Sequence, residues 1–106
     1  MIKKYINAIE KRKGALEQGN ARIANKYYNE IYDIVEVMRK DNKMKCLKPL
    51  LEYDDDSVKL LTAFYLLPIY TDESESVLEE LSQNGGELSF EAGLTLSEWK
   101  KGNLKF

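Results

Sequence analysis

The chain has 106 residues, 43% of them apolar, with sixteen basic and eighteen acidic side chains and no histidine. That is enough apolar material for one globular domain without staples. The single cysteine, Cys46, excludes an internal disulfide and fits a reducing, cytoplasmic setting. The lack of histidine removes histidine triads, histidine general bases and ordinary zinc sites.

Residues 2–18 are expected to form a first helix, with Ile2, Tyr5, Ile6, Ile9 and Leu16 at helical spacing and Lys3, Lys4, Lys11, Arg12 and Lys13 outside the stripe. The same stretch has no apolar h-region, so no signal peptide is expected. Gly19 suits a left-handed position just past the helix, and Asn20 suits the next N-cap. A second helix is expected over residues 21–40, with an inward face of Ile23, Ala24, Tyr27, Ile31, Ile34, Val35 and Met38 and an exposed Tyr32.

Asp41-Asn42 reads as a turn. Residues 43–51 read as a short helix with Met44, Leu47, Leu50 and Leu51 inward, and Cys46 is expected to pack as a small apolar group. Pro49 is tolerable only near a first turn, so this helix either begins near Lys48 or bends there.

Residues 57–67 read as a helix apolar on nearly every side, with Val58, Thr62, Tyr65 and Leu66 on one flank and Leu60, Phe64 and Leu67 on the other. Such a helix must be covered all round, which makes it central. Asp55 or Asp56 is expected to cap its start and Pro68 to end it. A further helix starts at Thr71-Asp72, where Asp72 and Glu75 have capping-box spacing and Val77, Leu78 and Leu81 give the inner face. Asn84-Gly85-Gly86 stops it. Ser89 is expected to cap a last helix, 90–101, carrying Phe90, Leu94, Leu96 and Trp99 and ended by Gly102. No segment sustains period-2 alternation and no domain boundary is visible, so the expected fold is all-α, one domain over residues 1–106.

Residues 50–63, Leu-Leu-Glu-Tyr-Asp-Asp-Asp-Ser-Val-Lys-Leu-Leu-Thr-Ala, resemble a HEAT repeat: a leucine-rich helix end, an acidic turn, then Val-Lys and small residues opening the partner helix. With Gly19-Asn20-Ala21, the Leu66-Leu67-Pro68-Ile69 close and the Ser89-Phe90-Glu91-Ala92 and Glu98-Trp99-Lys100-Lys101-Gly102-Asn103-Leu104 tail, the chain resembles a small bacterial family of HEAT-like domains of uncharacterised function, similar to proteins of toxin–immunity systems. The resemblance implies a compact HEAT-like bundle of five or six antiparallel helices. It implies a binding protein, such as an immunity protein that blocks a toxin, and supplies no catalytic residues.

Chemistry read from the residues agrees with a non-enzymatic role. A calcium loop beginning at Asp54 would place Lys59 at its glycine and Tyr65 at its final glutamate, so that motif fails. Gly85-Gly86 lacks the Gly-Lys-Ser/Thr of a phosphate loop. No metal, cofactor or catalytic residue is expected.

Charge layout gives the candidate site. Residues 1–51 carry twelve basic and six acidic groups, residues 52–80 one and nine, and residues 81–106 three of each. Glu52, Asp54, Asp55 and Asp56 share one turn, and Asp72, Glu73 and Glu75 open the next helix. If such turns gather along one edge, a cationic protein such as a nuclease toxin is attracted there. Taken singly, each carboxylate is explained as a helix cap or a solubilising group. The rival is a nucleic-acid contact through Lys3, Lys4, Lys11, Arg12 and Lys13, opposed by the acidic total and by the absence of a reading motif. A third reading is a scaffold for another cellular protein.

Overall fold

A computed structural model describes all residues, Met1–Phe106. The protein is all-α: α1 (Ile2–Glu17), α2 (Ala21–Lys40), a 3-10 helix (Met44–Glu52), α3 (Asp56–Leu66), α4 (Thr71–Gln83) and α5 (Ser89–Lys100), with no strand. No helix is long and apolar enough to cross a membrane. Contacts divide the chain into two units, Met1–Leu47 and Lys48–Phe106.

The first unit is a helical hairpin. α1 ends because Gly19 takes a left-handed φ of 71°. There the Gly19 N–H reaches the Leu16 carbonyl at 3.1 Å and the Asn20 N–H reaches the Ala15 carbonyl at 2.8 Å, a Schellman closure. Asn20 then turns its side chain forward, and its Oδ1 accepts from the Ile23 N–H at 3.2 Å to cap α2. One residue thus closes one helix and opens the next, and the short connection folds α2 back onto α1. α2 ends in the same way, with Asn42 at φ 58° in the glycine position.

Tyr5, Ala8, Ile9, Ala15, Ala24, Ile31, Ile34, Val35, Met38, Met44 and Leu47 are the unit's buried residues. Tyr32 is exposed as expected. Leu16 and Ile23, expected inward, are exposed, while Ala8 and Ala15 are buried instead. Both exposed residues flank the interhelix turn, beside the buried Ala15 and Ala24.

The expected short helix is a 3-10 helix over Met44–Glu52, with Pro49 inside it. Met44, Leu47 and Leu50 recur every third residue, and at three residues per turn they form one row, all buried. That winding carries Cys46 off the row with Pro49, so the thiol is exposed rather than packed.

In the second unit α3 is buried on several sides, through Val58, Leu60, Thr62, Ala63, Tyr65 and Leu66. It contacts α4, and α4 contacts α5. α4 buries Ser74, Leu78 and Leu81. α5 departs from its wheel: Ala92 is its buried residue, Phe90 is 81% exposed and Leu94 is exposed as well. Near its start α5 meets α4 where a Cβ added at Gly93 would lie 3.6 Å from the Ser82 Cβ, an ordinary contact distance. Leu96 and Trp99, farther along α5, are half-buried.

Candidate functional site

The acidic stretch between the 3-10 helix and α3 is built around Asp55. Its Oδ1 accepts from the Ser57 N–H at 2.8 Å and the Val58 N–H at 3.4 Å, so this carboxylate caps α3 and is part-buried. Glu52, Asp54 and Asp56 are exposed around it. Asp56 sits in the first turn of α3, where negative charge is favoured by the helix dipole.

The second carboxylate group behaves differently. α4 starts after Tyr70 with no side-chain cap. The capping box expected of Asp72 and Glu75 is therefore not formed; instead the Thr71 hydroxyl donates to the Leu67 carbonyl at 2.6 Å. Asp72 and Glu73 remain exposed in the first turn. Glu73 pairs with Lys48 at 3.4 Å, and the Lys48 ammonium also lies 4.6 Å from the Tyr70 ring centre. Glu75 faces α5, where its Oε2 accepts from the Trp99 indole N–H at 2.9 Å.

The four-residue connection 67–70 lays α4 back along α3, so the two groups lie toward opposite ends of α3. Eleven helical residues separate them by roughly 16 Å of rise. Glu52, Asp54, Asp55 and Asp56 are brought together; Asp72, Glu73 and Glu75 form a second group, of which Glu75 is turned to a separate contact. No three of the chain's carboxylates and its thiol are arranged to hold a metal ion.

Trp99 also joins Glu75 to an aromatic cluster that spacing does not reveal. The Phe64 and Phe106 rings lie 5.0 Å apart, and the Trp99 and Phe106 rings 6.1 Å apart, edge to face. The only sequence signal is the identity of Trp99, the chain's single tryptophan, whose N–H requires a partner when partly buried. At the start of α5 the N-cap position is Leu88, and the Ser89 hydroxyl donates to Asn84 Oδ1 at 3.2 Å, so Ser89 is not the expected cap.

The first unit carries eleven basic and six acidic residues, and the second carries five and twelve. In the first, Arg12 lies 5.6 Å from the Tyr28 ring centre and Arg39 pairs with Glu36. A surface hollow of about 860 Å³ runs along the start of α2, lined by Asn20, Arg22, Ile23, Asn25, Lys26 and Asn29. In the second unit, Glu73 is the one carboxylate in an ion pair. Comparison with protein-family models, with curated proteins and with solved structures gives no match.

Proposed function

We propose that the chain is a protein-binding module whose acidic second unit captures a cationic protein, in the manner of a bacterial immunity protein that neutralises a toxin such as a nuclease. The observation that carries this reading is the division of charge between the units. Lys48–Phe106 has a net charge of −7, from five basic and twelve acidic residues. Its exposed Glu52, Asp54 and Asp56 have no cation within ion-pair distance. Unpaired carboxylates on one unit attract a basic partner at long range and speed its encounter, an effect that weakens with salt.

This reading is non-enzymatic and cytoplasmic. The exposed, unpaired Cys46 suits a reducing compartment. The HEAT-like character inferred from residues 50–63 belongs to the same proposal.

Co-purification with the product of the neighbouring gene, at low and high salt, tests it. The informative variant is Glu52→Lys, Asp54→Lys, Asp56→Lys, which reverses the exposed charges and spares the Asp55 cap. A complex lost in the variant and weakened by salt supports capture through this turn. A complex indifferent to both moves the contact off the acidic unit.

A second reading has its own observation. Met1–Leu47 has a net charge of +5, from eleven basic and six acidic residues, and Arg12 lies beside the exposed Tyr28. A cation beside an exposed ring is a feature of single-stranded nucleic-acid surfaces. A gel-shift assay in 50 mM salt with single-stranded and duplex DNA separates the readings, and no shift removes this one.

A further inference from the structure

The ring of Phe106 rests on Phe64 and Trp99 while being 45% exposed. The cap of α5 ties the chain as far as Asn103, whose N–H reaches the Glu98 carbonyl at 3.0 Å after Gly102 has turned at φ 76°. Beyond Asn103 no hydrogen bond or ion pair holds residues 104–106; the half-buried Leu104 and the ring contacts of Phe106 hold this stretch. Its ring contacts two half-buried rings, and at one of them the Trp99 indole N–H is accepted by Glu75 Oε2, with no hydrogen bond to Glu75 Oε1.

Two neighbouring aromatic rings, one of them hydrogen-bonded at its edge to a carboxylate, suit one kind of side chain. A guanidinium stacks flat on aromatic faces and pairs with a carboxylate, and burial among rings strengthens both interactions. A neutral ring such as Phe106 uses the aromatic rings and offers the Glu75 carboxylate no counter-charge beyond the indole N–H it already accepts.

We propose that Phe64, Trp99 and Glu75 form a seat for an arginine side chain of a binding partner, and that Phe106 is a displaceable plug on that seat. The seat stands on the geometry of four residues; that the arginine belongs to a cationic protein rests on the partner-binding reading above. The surrounding unit, with twelve acidic and five basic residues, supplies the complementary charge. The strap of residues 104–106 swings away when the arginine enters, so seating it competes with the plug.

The single tryptophan reports on the seat directly. The probe is N-acetyl-arginine amide, titrated into the full chain while Trp99 fluorescence is read, with N-acetyl-citrulline amide as the neutral analogue of the same shape. The arginine probe is expected to change the emission saturably. Phe106→Ala is expected to bind it about fivefold more tightly, the factor by which a ring pair of ordinary strength holds the plug down. Glu75→Gln keeps an acceptor for the indole and removes the charge, and is expected to abolish the response. Equal binding of citrulline, or no tightening in Phe106→Ala, overturns the proposal. So does unchanged Trp99 emission in Phe106→Ala before any probe is added. These measurements need no protein partner, so their failure leaves the acidic-turn reading standing, and a failed co-purification leaves the seat standing.

Discussion

Trp99 gives its indole N–H to Glu75 Oε2 at 2.9 Å, joining α5 to α4 across twenty-four residues of sequence. Both partners are half-buried, so the bond is part-shielded from water. Trp99→Phe keeps most of the ring and removes the donor. It is expected to lower stability by about 1.5 kcal/mol, the low end for a hydrogen bond to a charged group, because water reaches the freed carboxylate. Urea denaturation followed by far-UV circular dichroism checks this, since the variant has no tryptophan to report.

The three adjacent aspartates are expected to differ in their effect on folding. Asp55 caps α3 through two backbone amides, so Asp55→Ala is expected to cost ~1 kcal/mol. Asp56→Ala loses only a favourable charge in the first turn, roughly 0.3–1 kcal/mol at low salt, and the loss shrinks as salt is added. Asp54→Ala is expected to fall within about 0.5 kcal/mol of the parent, as an exposed side chain outside the helix. Denaturation midpoints of the three variants test the order, and equal losses would contradict the assigned cap.

Two glycines five residues apart should respond to alanine with opposite signs. Gly14 lies inside α1, and an added Cβ there meets no atom within 4 Å. Gly14→Ala is expected to stabilise by about 0.5–1 kcal/mol through backbone entropy and helix propensity. Gly19 is equally uncrowded but sits at φ 71°, so Gly19→Ala is expected to destabilise by roughly 1–2 kcal/mol. Thermal melts of both single variants check the pair.

α5 reverses the usual size rule. Phe90→Ser is expected to change stability by less than about 0.5 kcal/mol, because the ring is 81% exposed. Ala92→Leu is expected to cost about 1–3 kcal/mol, because Ala92 is fully buried and a larger side chain must displace its surroundings. A loss on Phe90→Ser matching that on Ala92→Leu would place the covered face of α5 elsewhere.

The helices were legible where local chemistry decides. Gly19, Asn20, Asp55, Pro68 and Gly102 mark ends that need a left-handed residue, a side-chain acceptor or a missing N–H, and the structure uses Gly19, Asn20, Asp55 and Gly102 in those ways. Periodicity served α2 and α3, whose apolar residues cover wide faces. It misled on α5, where apolar residues surround the axis and tertiary packing, not pattern, selects Ala92 over Phe90. The 3-10 winding is visible in the three-residue recurrence of Met44, Leu47 and Leu50, a shorter period than the roughly 3.6 residues of an α-helix. Of the acidic residues, the grouping around Asp55 was readable because those residues are adjacent in sequence. The Glu75–Trp99 bond was not, since no spacing rule links positions twenty-four apart.

The connections between α1 and α2, α3 and α4, and α4 and α5 span three, four and five residues. Loops this short cost little chain entropy to close, and helices that meet their sequence neighbours need no distant segment in place beforehand. Such a chain is expected to fold in microseconds to milliseconds, the range of helical proteins rich in local contacts. Each of these helix pairs joins two helices that are synthesised one directly after the other.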